Sequence, residues 1–130
     1  QTCALPICSH DSDWTQALWL LFNSMRDNRE FVLNVFRSIA HDRLFDTATD
    51  LLGARVMNDF NTVTRSMDIS EDDKLFVSRF FTRAIVATCF AWIAEGMDED
   101  AIGSTVERCH TTLHTSVMPV LHAFEKPPAC

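Results

Sequence analysis

Residues 84–100 read AIVATCFAWIAEGMDED, and their pattern decides the fold class. Across 84–94 a helix would be apolar on nearly every side, so it needs cover all round. The run stops at Glu95-Gly96, and glycine there is a natural C-terminal helix stop. Upstream, Ser70 with Asp73 three residues on makes a capping-box pattern. Glu71, Asp72 and Asp73 place negative charge in the first turn, where the helix dipole favours it. The spacing predicts a helix over 71–95. Phe76, Phe80, Ala84, Ala87 and Ala91 lie along one side of it. Val77, Phe81, Ile85 and Trp92 lie on a second side, and Val86, Phe90 and Ile93 on a third.

Full cover for such a helix is hard to supply from one short chain. A second copy of the chain is the simplest source, and the alanine stripe would let two helices approach closely. The other solution is the central helix of a monomeric bundle. Downstream, Asp98 caps a further helix over 99–118, which Pro119 should end or kink. Its apolar stripe is Val106, Cys109, Leu113 and Val117. Candidate dimer-interface residues are Phe80, Ala84, Ala87, Ala91, Cys109, Leu113 and Val117.

Three more helices are expected upstream. Asp11, Ser12 and Asp13 are N-cap residue types, and an apolar stripe of Trp14, Ala17, Leu18, Leu21, Phe22 and Met25 follows. Asp27-Asn28 breaks it. Phe31, Val32, Val35, Phe36 and Ile39 give a second amphipathic helix. A third spans about 42–66 on Leu44, Phe45, Ala48, Leu51, Leu52, Val56, Phe60 and Val63, with Gly53 a weak point costing about 1 kcal/mol relative to alanine. With only 3 glycines and 4 prolines in 130 residues, the chain lacks the turns of a many-stranded sheet. The fold class is all-α, a five-helix bundle.

Composition narrows the function. Eleven basic against 18 acidic residues leave a net charge of −7, which excludes a chain that grips nucleic acid by bulk charge. The longest nearly apolar run, 84–94, is about half the roughly 20 residues a membrane-spanning helix needs, and no signal peptide precedes it. The expected compartment is the cytoplasm, with no membrane contact. The five cysteines (Cys3, Cys8, Cys89, Cys109 and Cys130) form no CxxC and no disulfide spacing. Cys89 and Cys109 sit in apolar helical patterns and read as buried small hydrophobes.

Residues 1–7, QTCALPI, carry no charge and no helical period. They resemble the translation of a sequencing-adapter frame, so residues 1–8 are read as an artefact and the gene as truncated at its start. A domain over 9–122 follows, with a frayed tail over 123–130.

Residues 69–118, with their apolar helix ending WIAEGM and the acidic cap DED, resemble the last two long helices of TetR-family transcriptional regulators. Residues 17–36, ALWLLFNSMRDNREFVLNVF, resemble the early effector-domain helices of that family. The likeness covers about 12–120 and is nearest to effector domains of the dihydroxyacetone-kinase regulator type. It implies an all-helical domain that binds a small molecule between its helices. It also implies dimerisation through the last two helices as a four-helix bundle. Family members carry an N-terminal helix-turn-helix head; nothing before Asp13 matches one, so operator contact by this chain is not expected. The effector itself is not legible.

Other chemistry is sparse. His110 and His114 stand four apart, a spacing that could put two imidazoles on a metal, with Cys109 adjacent and His122 beyond. No third ligand has supporting spacing, so a structural pair is expected and no metal or other cofactor is assigned. Glu107-x-x-His110 matches the unit of di-iron bundles, but no second such unit exists. No catalytic triad context or phosphate loop is present, and no catalytic residue is assigned. Candidate pocket residues are the large side chains Phe22, Met25, Phe36, Phe60, Phe81 and Trp92. The expectation is a dimeric, ligand-sensing regulatory domain rather than an enzyme. The alternative is a stand-alone bundle acting as a metal-binding or protein-interaction module.

Overall fold

A computed structural model describes residues 6–38 and 41–127, with side chains from residue 14 onward. Cys3, Cys130 and Ile39, and the side chain of Cys8, lie outside the described residues. Five α-helices follow one another: α1 (Pro6–Asp27), α2 (Arg29–Phe36), α3 (His41–Val63), α4 (Glu71–Ala94) and α5 (Ile102–Phe124). A single 3-10 turn, Glu99–Ala101, links the last two, and no strand occurs among the described residues.

The local signals around α4 are realised in detail. Ser70 Oγ accepts from the Asp73 N–H at 3.1 Å, capping the helix as the sequence pattern requires. At the other end Gly96 takes φ +107°, a conformation that favours glycine because it has no Cβ. The Gly96 N–H donates to Ile93 O at 3.1 Å and the Met97 N–H to Trp92 O at 3.0 Å. These two bonds are a Schellman motif, which satisfies carbonyls the helix end would leave orphaned. Met97, itself at φ 57°, is 2% exposed, so its side chain folds back into the core beside Trp92.

α4 is also the one described helix long and apolar enough, by length and composition, to cross a membrane. Here it is the core helix of the bundle. Its second and third stripes are covered from within the chain: Val77, Phe81, Ile85, Val86, Trp92 and Ile93 are all buried. Its first stripe is not covered. Phe76 and Phe80 are 65% and 61% exposed, and Ala84, Ala87 and Ala91 are exposed with them.

α3 packs antiparallel on α4. Gly53 faces the Thr82 methyl at one end and Lys74 Nζ donates to Asn61 Oδ1 at 3.1 Å at the other. α1 runs antiparallel to α5. Thr15 meets His110, Trp19 meets Gly103, and Arg26 pairs with Glu99 at 3.3 Å. The core therefore divides along α4. One cluster joins Leu18 and Phe22 of α1 to Cys89, Trp92 and Ile93 of α4 and Val106 of α5. The other joins Val56 and Phe60 of α3 to Val77 and Phe81 of α4 and Leu121 of α5.

Several boundaries differ from the sequence expectation. α1 begins at Pro6 and runs through 11–13 rather than being capped there. Proline is well suited to the first turn, where its missing N–H would lack an intrahelical partner anyway. α5 does not end at Pro119 but continues to Phe124. Leu121, past the proline, is 0% exposed, so burial of its side chain offsets the lost backbone bond. Hydroxyls one turn earlier bond back to the helix: Thr115 Oγ1 donates to Thr111 O at 2.8 Å, and Ser116 Oγ donates to Thr112 O. The Lys126 N–H then donates to Asp68 O at 2.9 Å, tying the chain after α5 to the α3–α4 connection.

Three apolar residues expected to face inward point out instead. Leu21, Phe31 and Leu51 are 37%, 70% and 72% exposed. Each flanks the line of true contacts on its helix. On α3 that line is Leu52, Val56, Phe60 and Val63, at spacings of three and four, and Leu51 sits a residue off it.

Candidate functional site

A cavity of about 80 Å³ lies at the seam between the two core clusters. Leu18 and Ile85 of the first cluster and Val56, Phe60 and Phe81 of the second all line it. α1 adds Trp14 and Thr15, and α3 adds Asp59 and Val63. α5 closes it with His110, Leu113, His114, Val117 and Met118. A water-sized group needs about 10–15 Å³ on this measure, so the space takes roughly five to eight of them.

The walls are apolar and the polar groups few, the usual make-up of a small-molecule pocket. Thr15 Oγ1 and His110 Nδ1 are 2.7 Å apart, which locks α1 to α5 at the cavity edge. His110 and His114 stack with ring centroids 5.6 Å apart, as residues one turn apart do. On the facing helix Asp59 has a side chain only 13% exposed. Its Oδ2 is fully shielded and, among the described residues, is the buried side-chain oxygen without a hydrogen-bond partner. Arg55 Nε approaches it to 3.4 Å from a half-exposed position but makes no hydrogen bond. A screened contact of that kind contributes at most about 1 kcal/mol.

Of the six expected pocket residues, Phe60 and Phe81 line the cavity. The other four do not. Phe22 and Trp92 pack edge to face at 5.0 Å, both buried inside the first core cluster. Met25 covers the same cluster from outside. Phe36 joins His41, Phe45 and Phe90 in an edge-to-face group with ring centroids 4.7–5.4 Å apart, on the α2–α3 side of α4. Large or soft side chains on facing helix stripes also fill cores.

The expected interface residues divide in the same way. Phe80, Ala84, Ala87 and Ala91 form the exposed stripe of α4. Cys109, Leu113 and Val117 face the other way and pack into the core, with Leu113 and Val117 also lining the cavity. The outward face of α5 is polar instead, with Ser104, Glu107, Arg108, Thr111 and Thr112. The apolar stripe of α5 faces inward because α1 covers it, a contact that sequence spacing does not reveal.

Asp59 and Thr15 are not among the residues that the sequence pattern singles out, and His110 and His114 are expected there as a structural pair rather than as cavity-lining groups. One signal for Asp59 was present. It interrupts the apolar series Val56, Phe60, Val63 at an inward position, where a carboxylate is out of place. Among the described residues, no three of His, Cys, Asp and Glu come together as a metal-binding group.

The TetR-type family described as "Transcriptional regulator C-terminal region" matches residues 12–102, which run from α1 through α4 to the first residue of α5. Nothing matches among curated proteins or among solved structures.

Proposed function

Because the chain belongs to the TetR-family transcriptional regulator C-terminal regions, we propose that it is the ligand-sensing and dimerising half of such a regulator. The small molecule sits in the cavity between α1, α3, α4 and α5. The observation that carries this reading is the cavity's place at the seam of two core clusters. A molecule there touches both clusters at once, so filling it changes how α1 and α5 sit against α3 and α4.

Dimerisation uses the exposed stripe of α4 from Phe76 to Ala91. Small residues at Ala84, Ala87 and Ala91 allow close approach, and two phenylalanines supply apolar area. In a domain of this kind the cytoplasm is the working compartment, the role is regulatory rather than catalytic, and operator contact belongs to a separate DNA-binding head. The net charge of −7 supports that division.

A test is to screen a small-molecule library by thermal shift on the full chain and on Val117→Trp, which fills the cavity. Compounds that stabilise the wild type should lose their effect in the variant, and in Ile85→Phe as a second block. Unchanged stabilisation in both would show that ligands bind elsewhere.

A further inference from the structure

We propose that the molecule this cavity takes is a small organic cation, an apolar body of about one ring carrying an ammonium-type head that pairs with Asp59. The inference rests on the effector reading and adds the chemical class.

Four observations converge on it. The first is the unsatisfied Asp59 Oδ2, shielded from solvent among apolar side chains. A buried carboxylate is costly unless an opposite charge and hydrogen-bond donors reach it. The second is the state of its neighbours. Thr15 and His110 bond to each other at 2.7 Å, and Arg55 stands at the solvent side without a hydrogen bond to the carboxylate. Among the described residues, Asp59 Oδ2 has an ion-pair contact with Arg55 at 3.4 Å but no hydrogen-bond donor.

The third is the aromatic wall. Trp14, Phe60 and Phe81 line the same cavity, and their ring faces attract cations as well as apolar bodies. An anionic ligand would meet the carboxylate at close range in a poorly solvated site, and a purely apolar one would leave Oδ2 unsatisfied. A neutral hydroxyl could donate, but only a cationic head also brings the opposite charge that a poorly solvated carboxylate needs. The fourth is size. A space of about 80 Å³ accommodates a body of about one ring.

Three ring compounds of one size test the class: benzylammonium, benzyl alcohol and benzoate. Affinities are measured by calorimetry or ligand-observed NMR on the full chain, on Asp59→Asn and on Val117→Trp. Benzylammonium should bind at least tenfold more tightly than either of the others. Asp59→Asn should remove that preference while keeping benzyl alcohol binding, which also shows that the variant folds. Equal affinities, or a preference for benzoate, overturn the cation proposal. If Val117→Trp still abolishes that binding, the pocket reading survives. Binding that persists in Val117→Trp, or no binding by any of the three, overturns the proposal and removes support from the pocket reading itself.

Discussion

The indole Nε1–H of Trp92 donates to the backbone carbonyl of Asp98 at 2.9 Å. This one bond spans the turn between the two longest apolar helices. Asp98 in turn caps the 3-10 turn through its side chain, accepting from the Asp100 N–H at 3.0 Å. Arg29 Nη1 donates to Met97 O at 3.3 Å, so α2 is fastened to the same corner. Trp92 is thus both a core residue, 4% exposed, and the hinge pin of the α4–α5 connection.

Replacing Trp92 by Phe deletes the bond to Asp98 and leaves space beside Phe22. The expected loss is about 2 kcal/mol, and about 4 kcal/mol for Trp92→Ala, which removes nearly the whole side chain. Urea denaturation followed by circular dichroism measures both. A loss below about 0.5 kcal/mol for Trp92→Phe would mean that the bond to Asp98 does not hold the corner.

Gly53 and Gly96 give opposite results on substitution by alanine. Gly53 is helical, and a Cβ there would meet the Thr82 methyl at 3.7 Å, an ordinary contact. Gly53→Ala should therefore stabilise by about 0.5–1 kcal/mol. Gly96 sits at φ +107°, so Gly96→Ala should destabilise by about 1–2 kcal/mol although open space surrounds it. Melting temperatures that shift in the same direction for both variants would contradict the backbone argument.

Alkaline pH should weaken the fold through Cys89. Burial, and then the neighbouring Cys109, push its thiol up from 9.0 to about 12. Burial raises Cys109 as well. Below pH 9 the contribution is complete. Between about 9 and about 12 the unfolded chain releases a proton that the folded chain keeps, so stability falls with rising pH, by about 1.4 kcal/mol per unit for one group. Cys89→Ala should flatten this part of a stability profile measured from pH 8 to pH 11. A wild-type profile no steeper than the variant's would refute the assignment.

Dimerisation through α4 predicts a clean separation of association from folding. Ala87 is exposed in the single chain, so Ala87→Glu should keep the helical circular dichroism signal while placing a charge in the shared face. Light scattering should then report the mass of one 14.8 kDa chain where the wild type reports two. Phe80→Asp should behave alike. A wild type that runs as a single chain at micromolar concentration, or variants that remain paired, would refute this interface.

Sequence alone determined the five helices and both ends of α4, though not the start of α1 or the end of α5. Ser70 with Asp73, the Gly96 stop and the Asp98 cap are short-range devices, complete within a few residues, so their outcome is readable without knowing the partners. The three-faced character of α4 was equally legible, because helical period maps positions onto faces directly. What tertiary structure decided is which faces meet. Nothing local tells Phe81, on the cavity, from Trp92, in the core, or shows that Leu113 and Val117 turn into the core rather than outward. Asp59, His110 and Thr15 come together from three helices, up to 95 positions apart in the case of Thr15 and His110. Their juxtaposition depends on how two core clusters stack along α4, a long-range packing result that periodicity does not encode.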